Sequence, residues 1–184
     1  GTDTSCSLSS DTLIYGGSLN SINIGAFRAI TCGSSGKILR SELSNYRIWD
    51  NVQSGTAEDL NDIDEFALIV YIVGNSGTIL KSTDEGETFF QLNSGTQLNL
   101  NEVQCLSYDS IRIAGDSLLS LLSTNGGNTW IRQSVYQQGE DASGFRVDLK
   151  ALHFINFNTG WTAGDHYVFK TSNGGLNWST RFKQ

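Results

Sequence analysis

The chain has 184 residues, 38% of them hydrophobic and 17% charged, enough to bury one core and too apolar for a disordered chain. Twelve Lys and Arg against nineteen Asp and Glu leave a formal charge of -7, with no segment that concentrates basic residues, which sets nucleic acid aside as a partner. Twenty Gly, no Pro, no Met and a longest apolar run of about eight residues, Phe66 to Val73, where a spanning helix needs about twenty, set aside a membrane span and favour short strands joined by polar turns.

Residues 1-18 precede the regular part of the chain, and Asp11-Thr-Leu-Ile-Tyr15 within them reads as an extra strand that covers an open edge in its own chain or in a neighbour. The first residue is Gly and no charged stretch leads into an apolar one, so the start reads as a processed or trimmed end. Cys6 lies in this polar segment and is the thiol expected to be exposed or bridged, whereas Cys32 and Cys105 read as small core residues. With no C-x-x-C spacing and only two His, no metal site is expected.

From Leu19 onward the sequence repeats. Leu19, Leu60, Leu100 and Leu149 each open a short alternating segment at spacings of about 41, 40 and 49 residues, a period that belongs to propeller blades, and they divide the chain at about 19-59, 60-99, 100-148 and 149-184. In the first unit, Ala29-Ile-Thr-Cys-Gly33 and Lys37-Ile-Leu-Arg-Ser41 read as strands, and Arg28 as a strand residue paired to a nearby carboxylate. Ser41 to Trp49 keeps the flanking Ser and Trp of the later units but carries one extra residue and lacks the glycine, which predicts a hairpin with a different turn.

The second unit places Asp62 and Asp64 on one face of its opening strand, followed by strands at Tyr71-Ile-Val-Gly74 and Thr78-Ile-Leu-Lys-Ser82. The third has strands at Arg112-Ile-Ala-Gly115 and Leu119-Ser-Leu-Leu-Ser123, then an insertion from Gln133 to Asp148 that accounts for the longer spacing. The fourth has His153 in its opening strand, read as half-buried, then strands at Trp161-Thr-Ala-Gly164 and Tyr167-Val-Phe-Lys-Thr171.

Three of the units close on the same pattern, Ser/Thr-x-Asp/Asn-x-Gly-x-Thr/Asn-aromatic, carried by Ser82, Asp84, Gly86 and Phe89, by Ser123, Asn125, Gly127 and Trp130, and by Thr171, Asn173, Gly175 and Trp178. The short Asp or Asn side chain accepts backbone amides across a turn, the Gly supplies a positive φ, and the ring is expected to pack on a neighbouring sheet. At these residues the sequence resembles the Asp-box, or bacterial neuraminidase (BNR), repeat of β-propellers. It is most similar to the subgroup of photosystem II stability/assembly factor-like repeats. The resemblance implies an all-β fold, a β-propeller of about four four-stranded antiparallel blades, closed on itself or completed by oligomerisation.

The resemblance also implies that the box turns lie away from the ligand-binding face, which collects the turns between second and third strands and the connections between blades. Ser34-Ser35, Asn75-Ser76, Asp116-Ser117, Asp165-His166, Glu58 and Asp59 then share that face, and the insertion adds a long loop with an aromatic, amides and both charges. The binding candidates are Asp116, Tyr136, Glu140, Asp141, Phe145, Arg146, Asp165 and His166. Phe27-Arg-Ala-Ile30 is similar to a sialidase motif but lacks its Pro, and the seven Arg and the Tyr residues show no catalytic grouping of that type. The expected function is therefore non-enzymatic: a cofactor-free propeller that binds a protein or glycan, or scaffolds assembly, outside the cytoplasm in an extracellular, periplasmic or cell-surface setting. The alternative is a structural subunit of a surface assembly linked by its N-terminal strand.

Overall fold

The strands are three to seven residues long and are separated by turns rich in Gly, Asn, Asp and Ser, so the chain reverses at once rather than winding into helices. The computed structural model describes residues 17-42, 44, 48-135 and 146-183, and shows four antiparallel sheets of four strands, each formed by consecutive strands in sequential order. The first sheet holds β1 (Leu19–Ile24), β2 (Arg28–Gly33), β3 (Ile38–Glu42) and β4 (Asp50–Val52). The second holds β5 (Leu60–Phe66), β6 (Ile69–Gly74), β7 (Ile79–Ser82) and β8 (Phe90–Leu92). The third holds β9 (Leu100–Cys105), β10 (Ile111–Gly115), β11 (Leu119–Ser123) and β12 (Ile131–Ser134), and the fourth β13 (Ala151–Phe154), β14 (Gly160–Gly164), β15 (Tyr167–Thr171) and β16 (Ser179–Lys183). The opening strands β1, β5, β9 and β13 pack side by side in chain order, which is the radial arrangement of a β-propeller.

The core lies between sheets. Ile30, Cys32 and Ile38 of the first sheet pack on Leu60, Ile63, Val70, Ile72 and Leu80 of the second. Tyr71, Val73 and Ile79 then meet Leu100, Val103, Ile111, Ile113 and Leu121 of the third, and Ala114 and Leu118 meet Leu149, Leu152, Phe154, Phe169 and Trp178 of the fourth. Four sheets thus share three cores, and among the described residues no core cluster joins the fourth sheet to the first. The repeated Leu shows the consequence: Leu60, Leu100 and Leu149 are each fully buried, a side-chain burial worth about 2 kcal/mol, while Leu19, with no sheet before it among the described residues, is 55% exposed.

The Gly that ends each second strand is required by close approach rather than by its φ. A Cβ on Gly33, Gly74, Gly115 or Gly164 would sit 2.0 to 2.5 Å from the carbonyl oxygen of Ser18, Asp59, Asn99 or Asp148, the residue just before the repeated Leu. The chain entering each sheet therefore lies directly on the end of that sheet's second strand.

The three patterned hairpins are stapled from within. The Ser82 hydroxyl accepts the Gly86 amide at 2.8 Å and donates to Asp84 Oδ1 at 2.7 Å, and the Thr88 amide donates to the same carboxylate oxygen at 3.0 Å. Slight burial works to raise the Asp84 pKa, but the Thr88 and Ser82 bonds outweigh it and hold the carboxyl at about 2. Ser123 and Thr171 accept the Gly127 and Gly175 amides at 2.8 and 2.9 Å, and Asn125 and Asn173 accept the Thr129 and Asn177 amides at 3.0 Å. Gly127 has φ +83 and stands so close to the preceding sheet that a Cβ would meet Leu92 Cδ1 at 2.7 Å.

Each hairpin is also held by the sheet before it. Lys81 Nζ and the Tyr71 hydroxyl donate to Gly126 O at 2.7 and 3.0 Å, Arg112 Nη1 donates to Gly174 O at 2.8 Å, and Arg40 Nε donates to Glu85 O at 3.1 Å. In each case the carbonyl belongs to the residue before the Gly of the pattern, turned outward by its own positive φ. The ring of Trp178 is buried, and those of Phe89 and Trp130 are half-buried. The turn of the first unit, around residues 45-47, and the extra strand read at Asp11 to Tyr15 lie outside the described residues.

Candidate binding face

The end of the sheets opposite the stapled hairpins is built from the turns between second and third strands. Ser35, Ser76 and Ser117 adopt φ 55, 53 and 57, and that left-handed geometry aims their amides at the next sheet. There the Ser35 amide donates to Asp59 Oδ1 at 2.8 Å, Ser76 to Asn99 Oδ1 at 3.1 Å and Ser117 to Asp148 Oδ1 at 3.1 Å. The residue after the repeated Leu reaches forward in the same way: Asn20, Asn61 and Asn101 donate from Nδ2 to the carbonyls of Leu60, Leu100 and Leu149 at 2.8 to 2.9 Å. Asp59-Leu60-Asn61, Asn99-Leu100-Asn101 and Asp148-Leu149-Lys150 are therefore joints, with an acceptor for the sheet before and, in the first two, a donor for the sheet after. The sequence displays Asp-Leu-Asn at 59-61 and Asn-Leu-Asn at 99-101, with Ser-Leu-Asn and Asp-Leu-Lys at the other two repeat starts; spacing marks the Leu, and Asp59 reads in the sequence only as a residue of a connection.

These bonds make the face stiff, and they use several of the candidate residues. Asp116 Oδ1 accepts from Asn101 Nδ2 at 2.8 Å and lies 3.2 Å from Lys150 Nζ, which is 3.9 Å from Asp148 Oδ2. The Asp148 amide donates to Asp165 Oδ2 at 3.2 Å. Asp116 and Asp165 are thus joined into one polar chain through Lys150 and Asp148. Asp165 (φ 47), His166 and Arg146 are exposed, as are Glu58 and Asp59, and Glu58 accepts the Ser76 hydroxyl at 3.1 Å. Tyr136, Glu140, Asp141 and Phe145 lie outside the described residues. The two ends of their insertion are anchored: Val135 and Val147 are buried, and both bond to the Leu118 backbone, at 3.3 and 2.8 Å.

The acids on the opening strands serve another purpose. Asp62 accepts the Ser21 hydroxyl at 2.7 Å and the Val103 amide at 2.9 Å, and Asp64 accepts the Cys105 amide at 2.7 Å, so both carboxylates link sheets. Burial raises the pKa of both against those hydrogen bonds. Glu102, the counterpart of Asp62 in the third sheet, is raised to about 7 by burial and then by the charges of Asp62 and Asp64. His153, expected half-buried, is exposed, because its counterparts Asp64 and Gln104 are covered by a following sheet and the fourth sheet has none among the described residues. Arg28 is buried between Glu65 at 3.1 Å and Glu85 at 2.8 Å and links the first two sheets. Burial takes the Cys32 thiol to about 12 and also raises Cys105, which makes neither a ready nucleophile. Among the described residues no group of three or more His, Cys, Asp or Glu is placed to hold a metal ion, and no helix is long and apolar enough to cross a membrane.

No protein-family model and no curated protein matches the chain. Solved structures do. The chain is similar to YCF48 from Cyanidioschyzon merolae, with a TM-score of 0.72 at 12% identity over 94% of this chain, and it spans 58% of that protein's length. It is also similar to YCF48 bound to a D1 peptide, with a TM-score of 0.53 at 11% identity over 91% of this chain and 85% of the other. The GH74 xyloglucanase from Xanthomonas campestris matches with a TM-score of 0.66 at 11% identity over 90% of this chain and 30% of the enzyme. A YCF48 protein and a GH74 xyloglucanase on one fold leave the activity to be argued from the site. What the likeness and the sheet order establish together is that the described residues form a β-propeller array of four four-stranded sheets.

Proposed function

We propose that the chain is a non-enzymatic propeller segment that holds a protein partner, an extended segment bearing basic residues, against the face formed by the turns and connections. The observation that carries this reading is the pinning of Ser35, Ser76 and Ser117 by Asp59, Asn99 and Asp148, which makes a rigid platform beside the exposed carboxylates of Glu58 and Asp165. A surface fixed before binding loses little entropy when a partner docks, and an acidic rim on a chain of charge -7 speeds and orients the approach of a basic one. A solved structure of a similar fold is described as bound to a peptide, which supports a protein partner. The internally stapled hairpins at the other end fit the Asp-box class and serve as structural turns. A setting outside the cytoplasm is part of the same proposal.

Titration of the whole chain with a basic and an acidic peptide of equal length, followed by fluorescence anisotropy at two salt concentrations, tests it. Binding of the basic peptide that weakens with salt and falls about tenfold or more in a Glu58→Lys, Asp165→Lys double variant is the expected result. Binding of xyloglucan oligosaccharides with none to either peptide would replace the protein reading with a glycan one.

A further inference from the structure

We propose that the chain carries two conditional modification sites, the Asn-Gly bonds at Asn125-Gly126 and Asn173-Gly174, which the folded hairpins hold closed to deamidation and which open, Asn173 before Asn125, as the hairpins loosen. These are the two Asn-Gly pairs of the sequence, and both continue with a second Gly. Deamidation at such a pair needs the Gly amide nitrogen, its proton taken by base, to attack the Asn side-chain carbon. The bond from Gly N to Asn Cγ forms, the Cγ–Nδ2 bond breaks and ammonia leaves. Water then opens the cyclic imide, at Cγ to give Asp or at the main-chain carbonyl to give isoaspartate. Glycine lacks the Cβ that would crowd this closure, so the conformation in which the pair is held decides the rate.

In the third sheet's hairpin the reacting groups are all engaged. The Gly126 amide donates to Asp109 O at 3.1 Å, and Asn125 Oδ1 accepts the Ser123 hydroxyl and the Thr129 amide, both at 3.0 Å. Asn125 Nδ2 donates to Thr129 Oγ1 at 2.8 Å, and Asn125 O accepts Asn128 Nδ2 at 2.8 Å. The carboxamide is thus drawn across the turn to residue 129, while Lys81 and Tyr71 of the second sheet fix the carbonyl of Gly126. The fourth sheet's hairpin repeats the amide bond, Gly174 to Asn158 O at 2.8 Å, and the two bonds to Asn173 Oδ1, from the Thr171 hydroxyl and the Asn177 amide at 3.0 Å each. Asn177 stands where Thr129 stands, so the hydroxyl that holds Asn125 Nδ2 has no counterpart there, and Asn173 is exposed where Asn125 is half-buried. Both sites read Asn-Gly-Gly, so the unfolded chain treats them alike and a difference in the folded chain belongs to the hairpins. The second hairpin shows what conversion to Asp makes: Asp84 holds the same place, its Oδ1 accepting the Ser82 hydroxyl and the Thr88 amide. The Asp product therefore keeps the staple and adds one negative charge, whereas isoaspartate lengthens the main chain inside the turn and displaces it.

Initial rates of conversion at both sites of the whole chain in mildly alkaline buffer, read by peptide mass spectrometry with and without guanidinium chloride, test the proposal. The expected result is equal rates at the two sites in guanidinium and, in the folded chain, rates lower by about tenfold or more at both, Asn125 being the slower. Two variants at exposed turn positions then move the sites in opposite directions. Thr129→Val removes the hydroxyl, keeps the amide and speeds Asn125 alone by about threefold or more, and Asn177→Thr supplies the hydroxyl and slows Asn173 alone by a similar factor. Folded-chain rates equal to those in guanidinium, no measurable conversion at Asn173 in the folded chain, or equal folded-chain rates at the two sites that neither variant changes would each overturn it. The last result would place the protection in the fold as a whole rather than in the hairpins.

Discussion

Two ionisable side chains, half-buried Glu102 and buried Arg112, show how this chain uses charge inside its interfaces. Glu102 is held near 7 by burial and by the neighbouring Asp62 and Asp64, so between about pH 4.5 and 7 the folded chain binds more protons than the unfolded one. Its contribution to stability is therefore fully present at low pH and is lost as pH rises through 7. Glu102→Gln should flatten that dependence and raise stability at pH 8 by about 1 kcal/mol after allowance for solvent screening, read from denaturant midpoints at pH 5 and 8. An unchanged slope would show that other groups set it. Arg112 is the second case. It is 3% exposed, donates to Gly174 O at 2.8 Å and Phe157 O at 3.1 Å, and lies 4.1 Å over the Phe154 ring; burial lowers its pKa to about 10. Arg112→Ala removes the donor to Phe157 O, one of the two donors to Gly174 O (Gln133 Nε2 stays at 3.2 Å) and the packing on one ring at the junction of the third and fourth sheets, and a loss of about 3 kcal/mol is expected by urea unfolding.

At the scale of the element, the stapled hairpin and the glycine-ended strand make different demands. Ser123→Ala removes the acceptor for the Gly127 amide, and about 1 to 2 kcal/mol is the expected cost, whereas Ser123→Thr keeps the oxygen, as Thr171 does in the fourth sheet, and should recover most of it. Gly164→Ala should cost more, about 3 kcal/mol, since the added Cβ would lie 2.0 Å from the Asp148 carbonyl and only backbone movement relieves the overlap. Thermal melts of the three variants side by side check that order. The hairpins were legible because each position has a local mechanical reason, visible in four to eight consecutive residues. The joint triplets were half legible: the repeated Leu stands out by its spacing, but Asp59 and Asn61 act on sheets about twenty-four and forty residues away, through Ser35 and Leu100, and no local pattern announces such a bond. His153 is exposed rather than half-buried for a related reason, since alternation reports which side of a strand a residue occupies and not whether another sheet lies against it.

At the scale of the whole molecule, a repeat that packs on its neighbours makes stability a sum over joints, with three cores for four sheets among the described residues. The fold class followed from that period, while the binding face depended on features that a period does not carry: which turns are pinned and which acids remain exposed. A rigid acidic platform at one end and structural turns at the other is the central claim, and hydrogen-deuterium exchange with and without the basic peptide tests it most directly. Slower exchange confined to the turns around Ser35, Ser76 and Ser117 and to Asp165 and His166, with the hairpins at 82-89, 123-130 and 171-178 unchanged, is the expected result. Protection centred on those hairpins would contradict it and move the binding face to the opposite end of the sheets.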